Sequence, residues 1–368
     1  MNIISFEYKS NEWWFHKVCF NKTNLIVGDS GTGKTRLLNT LFNLGVITAR
    51  GEMGGDGEWI VEVEINKDKY KWNISKIREV NDVIIEKEQI IKNNEIILNR
   101  EMENIYINDE KLPKLRRSEI SVSILRDDDR FKPLYDGFST MIRRRFFSDD
   151  LETNSATIAL NPRFVKKFGE NKSLHELYKL DLALNPRLYL LSVYFKEIYN
   201  KIRSYFLETF EFIEDVTIRD SSELFDFTLP GGNAPVFCIK EHSIDKLIPL
   251  NDLSSGMQKV LLILTDILSL PEESICLIDE YENSLGIGAI DFLPNILFSE
   301  NINKQLFITS HHPYIINKFP IEDWCITRRK GKEVFFSFGN ELVSRYTASK
   351  QDKYMQLIND PIYSEGVE

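Results

Sequence analysis

Apolar and polar positions follow one rhythm at the two ends of this chain and another in its middle. Near the start, Asn24-Leu25-Ile26-Val27 is a short apolar run that predicts a buried strand. After a glycine-bearing loop, Arg36-Leu37-Leu38-Asn39-Thr40-Leu41-Phe42 predicts the first turns of a helix. Residues 1–27 predict two antiparallel strands leading into that first strand, with Trp13-Trp14-Phe15 in the hairpin, either as core packing or as a surface for a nucleotide base. Gly51, Gly54, Gly55 and Gly57 then break the chain. Trp59 to Ile65 partly alternates apolar and polar positions, Tyr70 to Ile74 follows a polar turn, and Val83 to Ile85 and Ile105 to Ile107 extend the meander. Residues 1–107 therefore predict mixed sheet around one helix.

From about residue 112 to 240 the chain becomes charge-rich and helical in character. Its clearest periodic stretch begins near Pro186, where Leu188, Leu191, Phe195, Ile198, Ile202 and Tyr205 recur at alternating spacings of three and four. About two and a half heptads are too few for an oligomeric coiled coil. The stripe predicts packing within the chain, with a dimer or partner interface as the other reading. Polar turns at Asp220-Ser221-Ser222 and Pro230-Gly231-Gly232-Asn233 close the segment. Patterning of the α/β kind returns over 247–345: a helix from Val260 to Leu270, apolar strands at 274–278 and 305–309, and a hairpin of Cys325 to Thr327 with Val334 to Phe338. The tail from Ser349 is polar. The expected division is a core in two parts, 1–107 and 247–345, a mostly helical insertion over 108–246, and a tail over 346–368.

Composition changes this picture little. With 368 residues, two or three sub-domains are expected. The net charge of −10 gives no overall attraction for nucleic acid, so any such contact needs a local patch. Three candidates exist: Lys114/Arg116/Arg117, Arg143-Arg144-Arg145 and Arg328 to Lys332, each open to reading as a solvated face, a phosphate sensor or a nucleic-acid stripe. Cys19, Cys238, Cys276 and Cys325 lack the spacing of a disulfide framework or a zinc site. The N-terminus has no signal-peptide pattern and no window approaches eighteen uninterrupted apolar residues, so a cytoplasmic location and no membrane contact are expected.

The loop between the first strand and helix changes the picture most. Gly28-Asp29-Ser30-Gly31-Thr32-Gly33-Lys34-Thr35 fits the phosphate-binding P-loop pattern in its required strand–loop–helix setting. Gly28, Ser30, Gly31 and Gly33 let backbone N–H groups wrap a phosphate at a helix N-terminus. Lys34 is expected at the β- and γ-phosphates, and the Thr35 hydroxyl at Mg²⁺. Far downstream, Ile275-Cys276-Leu277-Ile278-Asp279-Glu280 is an apolar strand ending in two acids. Asp279 is expected toward Mg²⁺ and Glu280 as the general base for an attacking water.

Further strings carry a resemblance. Leu253-Ser254-Ser255-Gly256-Met257-Gln258-Lys259, placed twenty-odd residues before the Asp-Glu strand, resembles the LSGGQ signature of ABC-type ATPases, with a plain helix cap at Ser254 or Ser255 as the lesser reading. Tyr281-Glu282-Asn283-Ser284-Leu285-Gly286 stands where that family has its D-loop, with Gly286 in the usual aspartate position and Asn283 or Ser284 able to take over its contact. Thr309-Ser310-His311-His312-Pro313 resembles the switch-histidine loop, with His311 in the histidine position; a metal-binding pair of His311 and His312 is the lesser alternative. The Q-loop glutamine is not identifiable: Gln89 comes too early, and Ser118 or Ser121 could stand in. The whole resembles the SMC/RecF-like ABC ATPases of the AAA-15/AAA-21 kind, over about 1–107 and 247–320. The strings LSSGMQK, IDEYENSLG and TSHHPYIIN are similar to those of anti-phage defence ATPases: the PtuA proteins, the PARIS ATPase and the ATPase part of OLD nucleases.

The resemblance implies an ATP-sandwich homodimer or higher oligomer, in which Ser254, Ser255 and Gly256 of one subunit cap the γ-phosphate held by the other, with His311 contacting it. It implies ATP and Mg²⁺ as cofactors and a nucleotide-dependent switch in a defence complex. OLD nucleases append a Toprim domain, for which the 56 residues after His312 are too few. A nuclease effector is therefore expected as a separate partner. A RecF-like repair or recombination ATPase binding DNA directly is the alternative. A transporter subunit fits poorly, because 225 residues separate Gly28 from Leu253. ATP as structural glue fits poorly with an intact Glu280.

Overall fold

A computed structural model describes residues 1–51, 55–79, 82–144, 158–225, 234–283, 285–299, 302–342 and 353–364. Gly54, the 230–233 turn, Ser284 and the start of the tail at Ser349 lie outside the described residues. Two compact units emerge: one of residues 1–144, 273–281 and 303–368, the other of 145–272 and 282–302.

The first unit is built on a 14-stranded sheet. Its strands are β1 (Asn2–Lys9), β2 (Trp14–Cys19), β3 (Thr23–Val27), β4 (Gly57–Ile65), β5 (Asp68–Glu79), β6 (Asp82–Lys92), β7 (Glu95–Glu101), β8 (Asn104–Ile107), β9 (Glu110–Lys111), β10 (Ile142–Arg144), β14 (Ile275–Ile278), β15 (Gln305–Thr309), β16 (Trp324–Lys330) and β17 (Glu333–Phe338). They lie in the order β10-β14-β15-β3-β16-β17-β2-β1-β4-β5-β6-β7-β8-β9. From β10 to β16 all neighbours are parallel, and from β2 to β9 all are antiparallel. The β16–β17 hairpin joins the halves.

The two halves have different sequence logic. Strands β14 and β15 are buried at every position and apolar but for Gln305 and Thr309 at the ends of β15, as strands covered on both faces must largely be. Strand β4 alternates, with Trp59, Val61, Val63 and Ile65 inward. The antiparallel half turns on Asn66-Lys67, Asn93-Asn94 and Asn108-Asp109, each with φ positive at both residues. That is the twist-matched hairpin geometry asparagine tolerates. Helix α1 (Lys34–Arg50) lays Leu37, Leu38, Leu41, Leu44 and Ile47 into the core. Short helices α2 (Ser121–Ile124) and α3 (Lys132–Ser139) join it, the latter burying Leu134 and Phe138. The unit closes with α12 (Pro313–Lys318), α13 (Lys353–Asn359) and α14 (Pro361–Ser364).

The second unit contains helices α4 (Pro162–Glu170), α5 (Leu174–Lys179), α6 (Leu184–Tyr194), α7 (Lys196–Thr209), α8 (Ser221–Leu224), α9 (Ser255–Ser269), α10 (Ile287–Ile290) and α11 (Phe292–Ser299). It also holds an antiparallel sheet of β11 (Ile213–Asp220), β12 (Pro235–Glu241) and β13 (Ile248–Pro249), strands that helical character alone did not suggest. The periodic stretch from Pro186 is two helices, broken at Phe195 with φ −133° and ψ 55°. Just before the break, Tyr194 is tied to α4: its hydroxyl donates to the Val165 carbonyl at 2.9 Å and its ring meets Phe168. On α7, Ile202 and Phe206 are buried, and Phe206 packs edge-on against Phe237 of β12. Of the stripe, Leu188, Leu191 and Ile202 are buried, and Phe195, Ile198 and Tyr205 are half-buried. A buried ion pair, Arg187 to Asp266 at 2.7 Å, joins α6 to α9.

Candidate functional site

The P-loop leaves β3 at Gly28 and enters α1 at Lys34. Gly28 passes so close to β16 that a Cβ there would stand 2.6 Å from the Thr327 carbonyl oxygen. Gly33, the cap of α1, has φ +99°, and a Cβ would meet the Trp13 ring at 2.9 Å. Only glycine serves at either point. The loop borders a cleft of about 500 Å³ lined by Trp13, Ser30, Gly31, Gly33, Lys34, Thr35, Arg36, Asn39, Glu280, Thr309, Ser310, His311 and Arg329. All of these belong to the first unit. Lys34 donates to the Gly28 and Asp29 carbonyls at 2.7 and 2.9 Å.

Strand β14 delivers the acids. Asp279 is buried, and its Oδ1 accepts from the Thr35 hydroxyl at 3.1 Å and from the Thr309 hydroxyl at 2.8 Å. Thr309, at the end of β15, also accepts the Glu280 backbone N–H at 2.7 Å. Glu280 has φ +50°, a left-handed conformation that costs a non-glycine residue about 1 kcal/mol or more. The hydroxyl of Thr309 helps hold that turn, which leaves the Glu280 side chain on the cleft. His311 is exposed and lines the same cleft.

His312 caps α12 instead, its Nδ1 accepting from the Tyr314 N–H at 3.3 Å. No metal-binding cluster of His, Cys, Asp and Glu occurs among the described residues.

The aromatic cluster splits by position. Phe15 is in the core, Trp14 stacks on His16, and Trp13 faces the cleft with the Arg329 guanidinium 4.1 Å from its ring.

The signature residues lie in the second unit. Ser254 caps α9, its hydroxyl accepting the Met257 N–H at 3.3 Å, so the plain capping role is real. Ser254 and Ser255 are exposed and Gly256 is half-buried. The buried Lys259 donates to the Asn283 carbonyl and so ties the helix to the D-loop string. Gly286 has φ −70° and open space around an added Cβ, so its backbone does not require glycine.

The Q-loop candidates fall elsewhere. Gln89 is on β6, its side chain bonded to Asn73 and Asn99, and Ser121 is buried beside Arg100. Ser118 is exposed, and none of the three lines the cleft. The strand beside β14 is β10, which brings Arg143 to Asp279 Oδ2 at 2.9 Å. The sequence offered Arg143 only as one of three adjacent arginines; its partner is 136 positions away. Arg145 lies outside the described residues. Asn39 likewise joins the site only through the fold.

The residues present fit a magnesium nucleotide. A 17-residue helix points its N-terminus at the cleft, with no side chain capping it. Lys34, Arg36 and Arg329 line the cleft, and a hydroxyl–carboxylate pair, Thr35 and Asp279, offers hard oxygen donors.

Over 171 residues the chain is 29% identical to an uncharacterized protein of Methanocaldococcus jannaschii; the match covers 45% of this chain and 20% of that protein. The chain thus spans about a fifth of that relative's length. It is similar in fold to the SmcHead in its crystal structure bound to the C-winged helix domain of ScpA, at 12% identity and a TM-score of 0.50 over 91% of this chain and 97% of that one. The SMC head domain from Thermotoga maritima aligns at 11% identity and a TM-score of 0.43, over 92% and 99%. Residues 23–317 match the family described as "AAA domain, putative AbiEii toxin, Type IV TA system", and the chain belongs to that family.

Proposed function

We propose that the chain binds ATP with Mg²⁺ in this cleft, hydrolyses it, and uses the nucleotide state as a dimerising switch. The observation that carries the reading is the meeting of Lys34, Thr35, Asp279, Glu280, Thr309 and His311 around one cleft, from three separate stretches of chain. The P-loop amides and Lys34 bind the phosphates. Thr35 and Asp279 hold the metal, which when bound neutralises charge on the β- and γ-phosphates. Glu280 accepts a proton from water, and His311 orients the terminal phosphate.

All residues lining the cleft come from the first unit, whereas Ser254, Ser255 and Gly256 are on the second. In the proposed switch those three arrive from another copy of the chain and cover the phosphate. The family description, with its toxin and toxin–antitoxin terms, supports a defence role in which nucleotide state controls a separate effector such as a nuclease. The SmcHead similarity is to a head domain bound to a winged-helix partner, which is in keeping with a protein partner here. Direct duplex binding has less support. Lys114, Arg116 and Arg117 pair with Glu103, Glu119 and Glu79, Arg143 pairs with Asp279, and Arg329 lines the cleft.

The test is Glu280→Gln beside Lys34→Ala. Glu280→Gln should keep nucleotide affinity, lose turnover by about 100-fold or more, and grow in mass on adding ATP by light scattering. Turnover at the unaltered rate would remove Glu280 as base. A mass independent of ATP, at the protomer value, would remove the sandwich.

A further inference from the structure

The two oxygens of Asp279 keep different company. Oδ1 accepts from the hydroxyls of Thr35 and Thr309. Oδ2 accepts from Arg143 Nη2 at 2.9 Å, and both side chains are only 6% exposed. The other arm of the fork, Nη1, donates to Asn39 Oδ1 on α1, inside the cleft lining. Arg143 is thus gripped from two elements and aimed at the carboxylate assigned above to Mg²⁺.

A guanidinium in that position neutralises Asp279. A divalent cation at the same carboxylate meets the arginine's positive charge at short range, where little water screens it. The two cations are therefore in competition: each weakens the other's hold on Asp279. Strand β10 stands at the edge of the sheet order and, among the described residues, pairs with β14. Arg144 is the last residue of the first unit before the chain passes to the second.

We propose that Arg143 is a positioning residue that competes with the divalent cation for Asp279 and so sets how strongly nucleotide binding depends on metal. The inference rests on the magnesium-nucleotide reading of the cleft. In a chain with Arg143 intact, metal loading must first loosen the arginine from Asp279, and that release occurs on the strand leading into the second unit. A purely structural ion pair would stabilise the fold and leave the metal dependence of binding unchanged.

The measurement is the affinity of the full chain for a fluorescent ATP analogue in saturating Mg²⁺, divided by its affinity in EDTA. Arg143→Ala should raise this ratio about tenfold, on the order of one close charge pair. It should also lower the unfolding temperature in EDTA, with Mg²⁺ and nucleotide recovering most of the loss. Arg143→Lys replaces the fork by a single ammonium and should raise the ratio by a smaller factor. It carries the test where the alanine variant does not fold. An unchanged ratio in a folded variant overturns the proposal. A lowered ratio overturns it too, and makes Arg143 a helper of metal binding. No nucleotide binding by the unaltered chain in either condition sinks the cleft's nucleotide reading itself, a result distinct from the other two.

Discussion

Two buried carboxylates in the first unit each face an arginine, and they do opposite things with it. On the antiparallel side, Glu88 and Arg100 are direct cross-strand partners on β6 and β7, both fully buried, 3.6 Å apart. Glu88 also accepts from the Trp72 indole at 3.2 Å and the Ser121 N–H at 2.9 Å. Arg100 donates to the carbonyls of Met102, Glu119 and Arg116 and to the Ser121 hydroxyl. Burial pushes the Glu88 carboxyl up from its ordinary value, against the pull of these donors, and burial pushes the Arg100 guanidinium down. That network is closed, and it clips the loop around residues 116–121 to the sheet. On the parallel side, Asp279 and Arg143 have partners drawn from the walls of a cleft: Thr35, Thr309 and Asn39. The same ion pair is a fastening where every donor is spent on the chain, and a working part where the donors line a space for a ligand.

The comparison can be broken by mutation, and the largest expected effect is on stability at the closed pair. Arg100→Ala leaves a buried carboxylate without its counter-charge and should cost about 3–5 kcal/mol in denaturant unfolding. A loss near zero would mean that Glu88 takes up a proton at little cost and that the network is ornamental. Next comes Lys34→Ala. It removes a charged donor from the phosphate cradle and should weaken nucleotide binding by on the order of 100-fold in calorimetry, with unfolding nearly unchanged. Equal affinity would sink the P-loop assignment. These two variants should therefore dissociate: one moves stability and the other moves binding.

The smallest effect tests a third carboxylate. Where the other two have an arginine, Asp323 has Glu322, and burial together with that like charge pushes Asp323 up to about 6 from 3.8. The folded state then holds more protons than the unfolded state between those values, so this group's contribution to stability falls as pH rises from about 4 to about 6. Asp323→Asn should be near neutral at pH 3.5 and stabilising by on the order of 1 kcal/mol at pH 7, discounted for partial exposure. The same gain at both pH values would show that charge is not the cause.

The sequence carried some of this and concealed the rest for definite reasons. The Glu88–Arg100 pair was within reach: period two puts Glu88 on the face of Ile90 and Arg100 on the face of Leu98. Strand β7 was missed in the same region, although Asn93-Asn94 is a turn signal. The break at Phe195 carries no glycine or proline, and the apolar stripe runs unbroken in spacing across it. Packing of Tyr194 on α4 accompanies the break, a contact with residues 26 to 29 positions earlier.

What the sequence determined by itself are features whose physics is local. A P-loop is eight consecutive residues whose glycines and helix start make an anion cradle wherever a strand precedes them. An apolar run ending in Asp279-Glu280 makes a buried strand with acids at its tip, and Ser254 caps α9 from within one turn. What the tertiary structure decided are the partnerships across the sheet order. Parallel neighbours are joined by long crossovers, so β10, β14, β15 and β3 meet although the chain visits them far apart. That order, and no local pattern, sets Thr309 beneath Asp279, Trp13 beside the P-loop and Arg143 against the acid that faces it.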